Sequence, residues 1–231
     1  MRVHKESSFV IHTRPYSETS LYTDIFSRNY GRLTVIAKGA RRQKSKFRGI
    51  LLPFRQLLTG WSGKGEIPVL TLAEPVEPWA EMRGHGVLCG FYVNELVTRL
   101  LHRYDPHPEL FDYYSDTMVR LLRGEAREDA LRLFEKRLLR EIGYAMSLEY
   151  EAHSRRDIDP AARYRYIPHL GAVAEHSEQR GGVPISGAAL HALRIESFNG
   201  DNELKECKRL MRTMIAHQLG SRPLHSRKLF R

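Results

Sequence analysis

The sequence predicts an α+β chain, with an N-terminal OB-fold β-barrel over residues 1–80 and an all-helical C-terminal domain over residues 81–231. Three observations carry this expectation. Five short β-branched or aromatic runs, parted by turn signals, fill the first 80 residues. The apolar period turns helical from Val87 onward. Residues 150–185 then lose periodicity and collect Asp, Pro, Gly and Arg, which marks an irregular insertion.

The expected strands are SFVIHT, SLYTDIFS, GRLTVIAK, FRQLLTGWS and PVLTLAE, separated by RPYSE, RNYG, KGARR and SGKGE. Five strands in about 80 residues match the size of a Greek-key barrel of the OB type. The stretch EPVEPWAEMRGHG ends the β pattern. Helices follow from Leu88, Phe91, Tyr92, Leu96 and Leu100, then from Leu110, Phe111, Tyr114, Met118 and Leu121. A third runs through Leu131, Phe134, Leu138 and Ile142 and stops at Gly143. A short hairpin is expected around RYIPHLGAVAE, and helical pattern returns over 186–196 and 201–219.

Hydrophobic content of 42% and charged content of 28% are those of an ordinary folded chain, long enough to bury a core. The sign of the charge is not ordinary: 37 Lys+Arg stand against 27 Asp+Glu. Residues 25–65 hold ten Lys or Arg and no acid, and six of those ten fall within KGARRQKSKFR, residues 38–48. After Glu206 come seven more basic residues, again with no acid. Clustered charge of this kind favours an anionic partner over simple solubility. Nucleic acid, an anionic membrane surface and an acidic protein tail are the candidates. If the run is extended, Lys44, Lys46 and Arg48 share one side and form a row suited to a phosphate backbone. Tyr16, Tyr22, Phe26, Tyr30, Phe47 and Phe54 lie nearby, and one or two of them are candidates for stacking on unpaired bases.

Catalytic signatures are missing. SGKGE lacks the spacing of a nucleotide-binding P-loop, and neither HExxH nor GxSxG occurs. Cys89 and Cys207 are the only cysteines, so neither a disulfide framework nor a cysteine zinc site is expected. His102 and His107 flank YDP at a helix end, where a capping or surface role is expected. The start MRVHKESSFVIHTRP has no long apolar core, and no run approaches a membrane span. A non-enzymatic cytoplasmic protein, with no cofactor, no metal and no membrane partner, is the expectation.

RPYSETS (14–20), GRLTVIAKGARRQKSKFRGILLPF (31–54), FYVNELVTRLL (91–101), LRLFEKRLLREIGY (131–144) and RPLHSRKLFR (222–231) together resemble the RecO recombination-mediator family. The order and spacing match along nearly the whole chain; AKGARRQKS is the most distinctive segment. The resemblance implies an OB-fold followed by a helical domain. It also implies binding of single- and double-stranded DNA, and annealing of strands coated by single-stranded-DNA-binding protein (SSB). RecR and the acidic C-terminal tail of SSB would be partners, in a pathway that loads RecA at gaps, which points to a nucleoid-associated protein. Some members carry a four-cysteine zinc finger after the GY helix end; here that region reads GYAMSLEYEAHSRRD, without cysteine. The zinc function therefore does not carry over.

With this resemblance, the expected DNA contacts are Arg14, Arg28, Lys38, Arg41, Arg42, Lys44, Lys46 and Arg48. A second surface is expected on the third helix, where Arg132, Lys136 and Arg140 are spaced by four beside Leu131, Phe134 and Leu138. Taken alone, this is an amphipathic helix with a solvated rim. An acidic tail ending in an apolar residue needs a hydrophobic pocket with a basic collar, and LRLFEKRLL has both ingredients. Arg132 is the first collar choice, with Lys136, Arg127 and Arg137 behind it. An RNA- or ribosome-associated OB protein remains the alternative, as does an enzyme using 150–185 as a lid.

Overall fold

Alternating apolar residues at the start of the chain build a closed barrel in the computed structural model, which describes residues 2–76, 81–124, 127–177, 180–226 and 228. Its strands are β1 (Arg2–Pro15), β2 (Leu21–Ser27), β3 (Gly31–Ala37), β4 (Gln56–Ser62) and β5 (Val69–Pro75). They close in the order β1-β2-β3-β5-β4, with β4 back against β1. Every pairing is antiparallel except β3 with β5, which meet in parallel at Ile36 and Val69. This is the OB arrangement, so the expected fold class stands.

One long strand makes closure possible. The first half of β1 pairs with β4 and the second half with β2, and it bends at register shifts between Val3 and Glu6 and between Val10 and His12. Lys5, at the first shift, has φ 51°, the left-handed conformation that a bulge often needs. Val3, Val10, Ile25, Leu33, Val35, Leu57, Trp61 and Leu70 fill the interior. Near the β2–β3 turn the buried carboxylate of Glu6 accepts hydrogen bonds from Ser27 Oγ, the Asn29 N–H and Asn29 Nδ2 at 2.9–3.2 Å, so its desolvation is compensated.

The outer face is also buried where β1 and β2 run side by side, which explains the unbroken burial of Ser8–Ile11 and Thr23–Ser27. Helices α1 (His85–Leu100) and α2 (Pro108–Arg123) follow the barrel. Phe9 and Phe26 meet Phe111 and Tyr114 of α2 at ring separations of 4.9–5.6 Å. Inside this cluster the Tyr114 hydroxyl donates to Asn94 Oδ1, and Asn94 Nδ2 donates to the Ile11 carbonyl. Residues 1–125, with 224–231, accordingly form one compact unit. The tail is held there by Glu95, whose carboxylate accepts the His225 and Ser226 N–H groups at 2.8 Å each. The change of period expected at 80/81 falls beside residues 77–80, which lie outside the described residues.

The second unit covers residues 126–223. It contains α3 (Arg127–Glu141), β6 (Arg163–Ile167), β7 (Gly171–Ala174), β8 (Val183–Ser186), α4 (Gly187–Ile195) and α5 (Asp201–Leu219). The segment expected to be irregular, 150–185, provides an antiparallel sheet ordered β7-β6-β8, so this half is helical with a small sheet added. RYRYI alternates as a strand should: Tyr164 and Tyr166 point into the core beside Ile185, Leu190, Leu210 and Met211. Neither cysteine is in a disulfide. Burial pushes the Cys207 thiol up to about 12, so it stays protonated.

Glu206 of α5 ties this unit together. Its carboxylate accepts the Ser186 N–H at 2.8 Å and the Ser186 hydroxyl, and pairs with Arg163 at 2.9 Å. Ser186 in turn caps α4 by accepting the Ala189 N–H. Burial raises the Glu206 carboxyl, but the Ser186 and Arg163 contacts outweigh it and hold the group below its ordinary 4.5. A depressed carboxylate contributes stability that is present above the unfolded value and lost as pH falls through the folded one. The melting temperature of the chain should therefore drop below about pH 4.5, and Glu206→Gln should lose less over that interval. Equal acid sensitivity of variant and parent would contradict this role.

Candidate nucleic-acid interface

The β3–β4 connection, residues 38–55, carries the basic run. It is not extended. Five i→i+3 backbone hydrogen bonds, from Ala40 to Ala37, Arg42 to Gly39, Ser45 to Arg42, Arg48 to Ser45 and Ile50 to Phe47, wind it into consecutive tight turns. Gly39 and Gly49 take φ of 67° and 71°, conformations that suit glycine. The expected straight row of Lys44, Lys46 and Arg48 is thus corrected. Ala40, Phe47 and Leu51 insert into the barrel core, and a chain that must return its apolar residues to one plug at these intervals has to curl.

This anchoring sorts the side chains. With Ala40 and Phe47 inside, Lys38, Arg41, Arg42, Lys44, Lys46 and Arg48 are all exposed. Among the described residues none of the six stands in an ion pair, so their charges face solvent. Their hydrogen bonds go to carbonyls instead: Arg41 to Ser17, Lys46 to Thr71 and Arg48 to Gln43, at 2.8–3.0 Å. Neutral partners fix these side chains without cancelling their charge. Arg41, Arg42, Gln43 and Arg48, with Leu21, Phe47 and Leu52, border a depression of about 510 Å³.

Two motifs distant in sequence meet here. The turn between β1 and β2 holds the basic loop through Thr19, whose carbonyl accepts the Arg41 N–H, and through Ser20 Oγ, which accepts the Gly39 N–H. Nothing in the sequence pattern marks Ser17, Thr19 and Ser20 for this role.

Arg28 and Arg14 are placed differently. Arg28 makes a bidentate pair with Asp112 of α2, at 2.9 and 3.0 Å. The Arg28 guanidinium holds the Asp112 carboxyl below its ordinary value. Arg14 pairs with the buried Asp24 at 3.2 Å and lies 5.0 Å from the Tyr22 ring centre. Both charges already have carboxylate partners.

On α3 the expected collar is corrected. Arg132 is only 3% exposed and grips the fully buried Glu135 through two contacts of 2.7 Å, with Glu128 at 3.4 Å. Leu131 and Phe134 are buried core residues. Lys136 donates to the Leu193 and Arg194 carbonyls and pairs with Glu196 at 3.0 Å, satisfying the C-terminal end of α4. Arg137 also pairs with Glu196. Only Arg127 of the proposed set is exposed. Packing of α3 against α5 turns Arg132 inward and leaves Lys136 half-buried, while Arg140 at the far end of the stripe stays exposed. Arg132 and Lys136 thus wire the unit internally and form no open collar beside Leu131 and Phe134.

No helix among the described residues is long and apolar enough to cross a membrane. Comparison with known proteins matches the chain in two parts. The family description "Recombination protein O N terminal" matches residues 1–79, and "Recombination protein O C terminal" matches residues 84–228. A protein of Aromatoleum aromaticum named DNA repair protein RecO is 41% identical over 230 residues, covering 100% of this chain and 96% of its own. Proteins of the same name from Thiobacillus denitrificans and Methylococcus capsulatus are 42% and 43% identical, covering 100% of this chain and 92% and 94% of theirs. With both halves matched in order and the full length aligned, the chain belongs to the RecO family of DNA repair proteins.

Proposed function

We propose that the chain is a DNA-binding recombination mediator: it anneals complementary single strands coated with SSB and, with RecR, assists RecA loading at gaps. The observation that supports this best is the loop of six exposed, carboxylate-free cations anchored in the barrel by Ala40, Phe47 and Leu51. Two DNA strands repel through their phosphates, and a shared cationic surface lowers that repulsion while releasing condensed counterions. Base pairing then supplies the net free energy. Such a role needs no chemical step and no cofactor, in keeping with a non-enzyme.

The DNA contacts proposed are Lys38, Arg41, Arg42, Lys44, Lys46 and Arg48, for single and double strands alike. The acidic tail of SSB is the proposed recruiting partner, bound at a site other than the buried Arg132. The test is annealing of complementary oligonucleotides precoated either with full-length SSB or with SSB lacking its tail, without nucleotide. The expected result is fast annealing on the first and slow annealing on the second. Equal rates on both would remove the tail from the mechanism.

A further inference from the structure

Six aromatic residues accompany the basic segment, and the structure covers five of them. Phe26 is fully buried under α2, and Phe47 sits in the barrel core. Tyr30 packs edge-on against Trp61 at 5.2 Å, and Phe54 packs against Phe91 at 5.0 Å. Tyr22 lies against Tyr16 at 4.4 Å. Tyr16 itself remains 50% exposed.

Its orientation is fixed from two sides. Arg14 and Tyr22 are direct partners across β1 and β2; the Arg14 guanidinium lies 5.0 Å from the Tyr22 ring centre, and the Tyr16 ring lies against that same ring at 4.4 Å, tilted by 51°. Arg14 is in turn paired with Asp24 at 3.2 Å. The turn carrying Tyr16 is closed by hydrogen bonds from the Tyr16 and Ser17 N–H groups to the Ser20 carbonyl. Arg41 of the basic loop is fastened to the same turn at Ser17 and Thr19. An open aromatic ring therefore stands beside the cations at a set position.

We propose that Tyr16 is a stacking position for an unpaired base, and that it makes the basic surface of the barrel favour single strands over duplex. This rests on the DNA-binding reading of the loop. Cations meet the phosphates of either form, whereas the bases of a duplex are already stacked on each other and present no free face inside the helix. A ring beside the phosphate track adds affinity only where a base can swing onto it. Base–aromatic stacking changes affinity by about five- to hundredfold per base on truncation, with little sequence preference.

The experiment compares Tyr16→Leu and Tyr16→Trp with the parent, by anisotropy titration of a labelled single strand and of its duplex at several salt concentrations. The expected result for Tyr16→Leu is a loss of at least about fivefold on the single strand, with duplex affinity within about twofold. The salt slope should be unchanged, because an uncharged ring releases no counterions. Tyr16→Trp should keep single-strand affinity, and equal melting temperatures establish that the variants are folded. Equal loss on both substrates, or no loss on the single strand with Tyr16→Leu, overturns the proposal. A loop variant lacking Arg41, Arg42, Lys44 and Lys46 is run alongside. If it too leaves binding unchanged, the loop reading fails; if it weakens binding while Tyr16→Leu does not, only the stacking role falls.

Discussion

Arg132→Ala is expected to destabilise the unit of residues 126–223 by about 3–5 kcal/mol, the usual consequence of leaving a buried charge without its partner. Glu135 is fully buried and meets Arg132 through two contacts of 2.7 Å, so truncation strands a carboxylate in the core. The reciprocal change tells the same story with a different outcome. Replacing the pair together, Arg132→Met with Glu135→Leu, removes both charges and should recover most of the loss, because the desolvation of two ions disappears with their attraction. Hydrogen exchange of the α3 and α5 amides reports this unit directly. A loss under about 1 kcal/mol for the single variant would show that the pair is solvated in solution, and would return Arg132 to the surface.

The second large effect concerns DNA. Replacing Arg41, Arg42, Lys44 and Lys46 by Ala should weaken single-strand binding by roughly a hundredfold or more, since each charge-assisted contact to phosphate contributes on the order of 1.5–3 kcal/mol. The salt slope should fall by about three, at roughly 0.7 per phosphate released from a single strand. The fold should persist because Ala40, Phe47 and Leu51, which seat the loop, are untouched. Arg28→Ala is the informative control. Its guanidinium already faces Asp112 in a bidentate pair, so its removal should leave the slope nearly as it was.

The barrel was legible in the sequence because its strands carry period-two runs bounded by turn residues, and β2, β3, β4 and β5 lie where SLYTDIFS, GRLTVIAK, FRQLLTGWS and PVLTLAE place them. The helices were legible for the matching reason, including α5 at Asp201–Leu219. The sheet of β6, β7 and β8 was only half visible: its strands have four or five residues, too few to alternate convincingly, and only RYRYI shows the pattern. At the basic loop the charges were plain and their geometry was not. Whether a polar segment is extended or curled depends on where Phe47 and Ala40 find the core, which is a tertiary fact. The same limit explains Arg132: spacing by four puts Arg132, Lys136 and Arg140 on one helix face, but only packing against α4 and α5 decides which of them meets water. Arg140 does, and Arg132 does not.

Exposed cations on the barrel are expected to bring complementary strands together without a chemical step. The most direct test of this expectation is the annealing rate of two bare complementary oligonucleotides, followed by fluorescence quenching in nucleotide-free, low-salt buffer, with the parent protein and with the fourfold loop variant. The predicted result is strong acceleration by the parent, fading as salt rises, and a rate close to the spontaneous one with the variant. Acceleration by the variant equal to the parent's, or none by either protein, would contradict it.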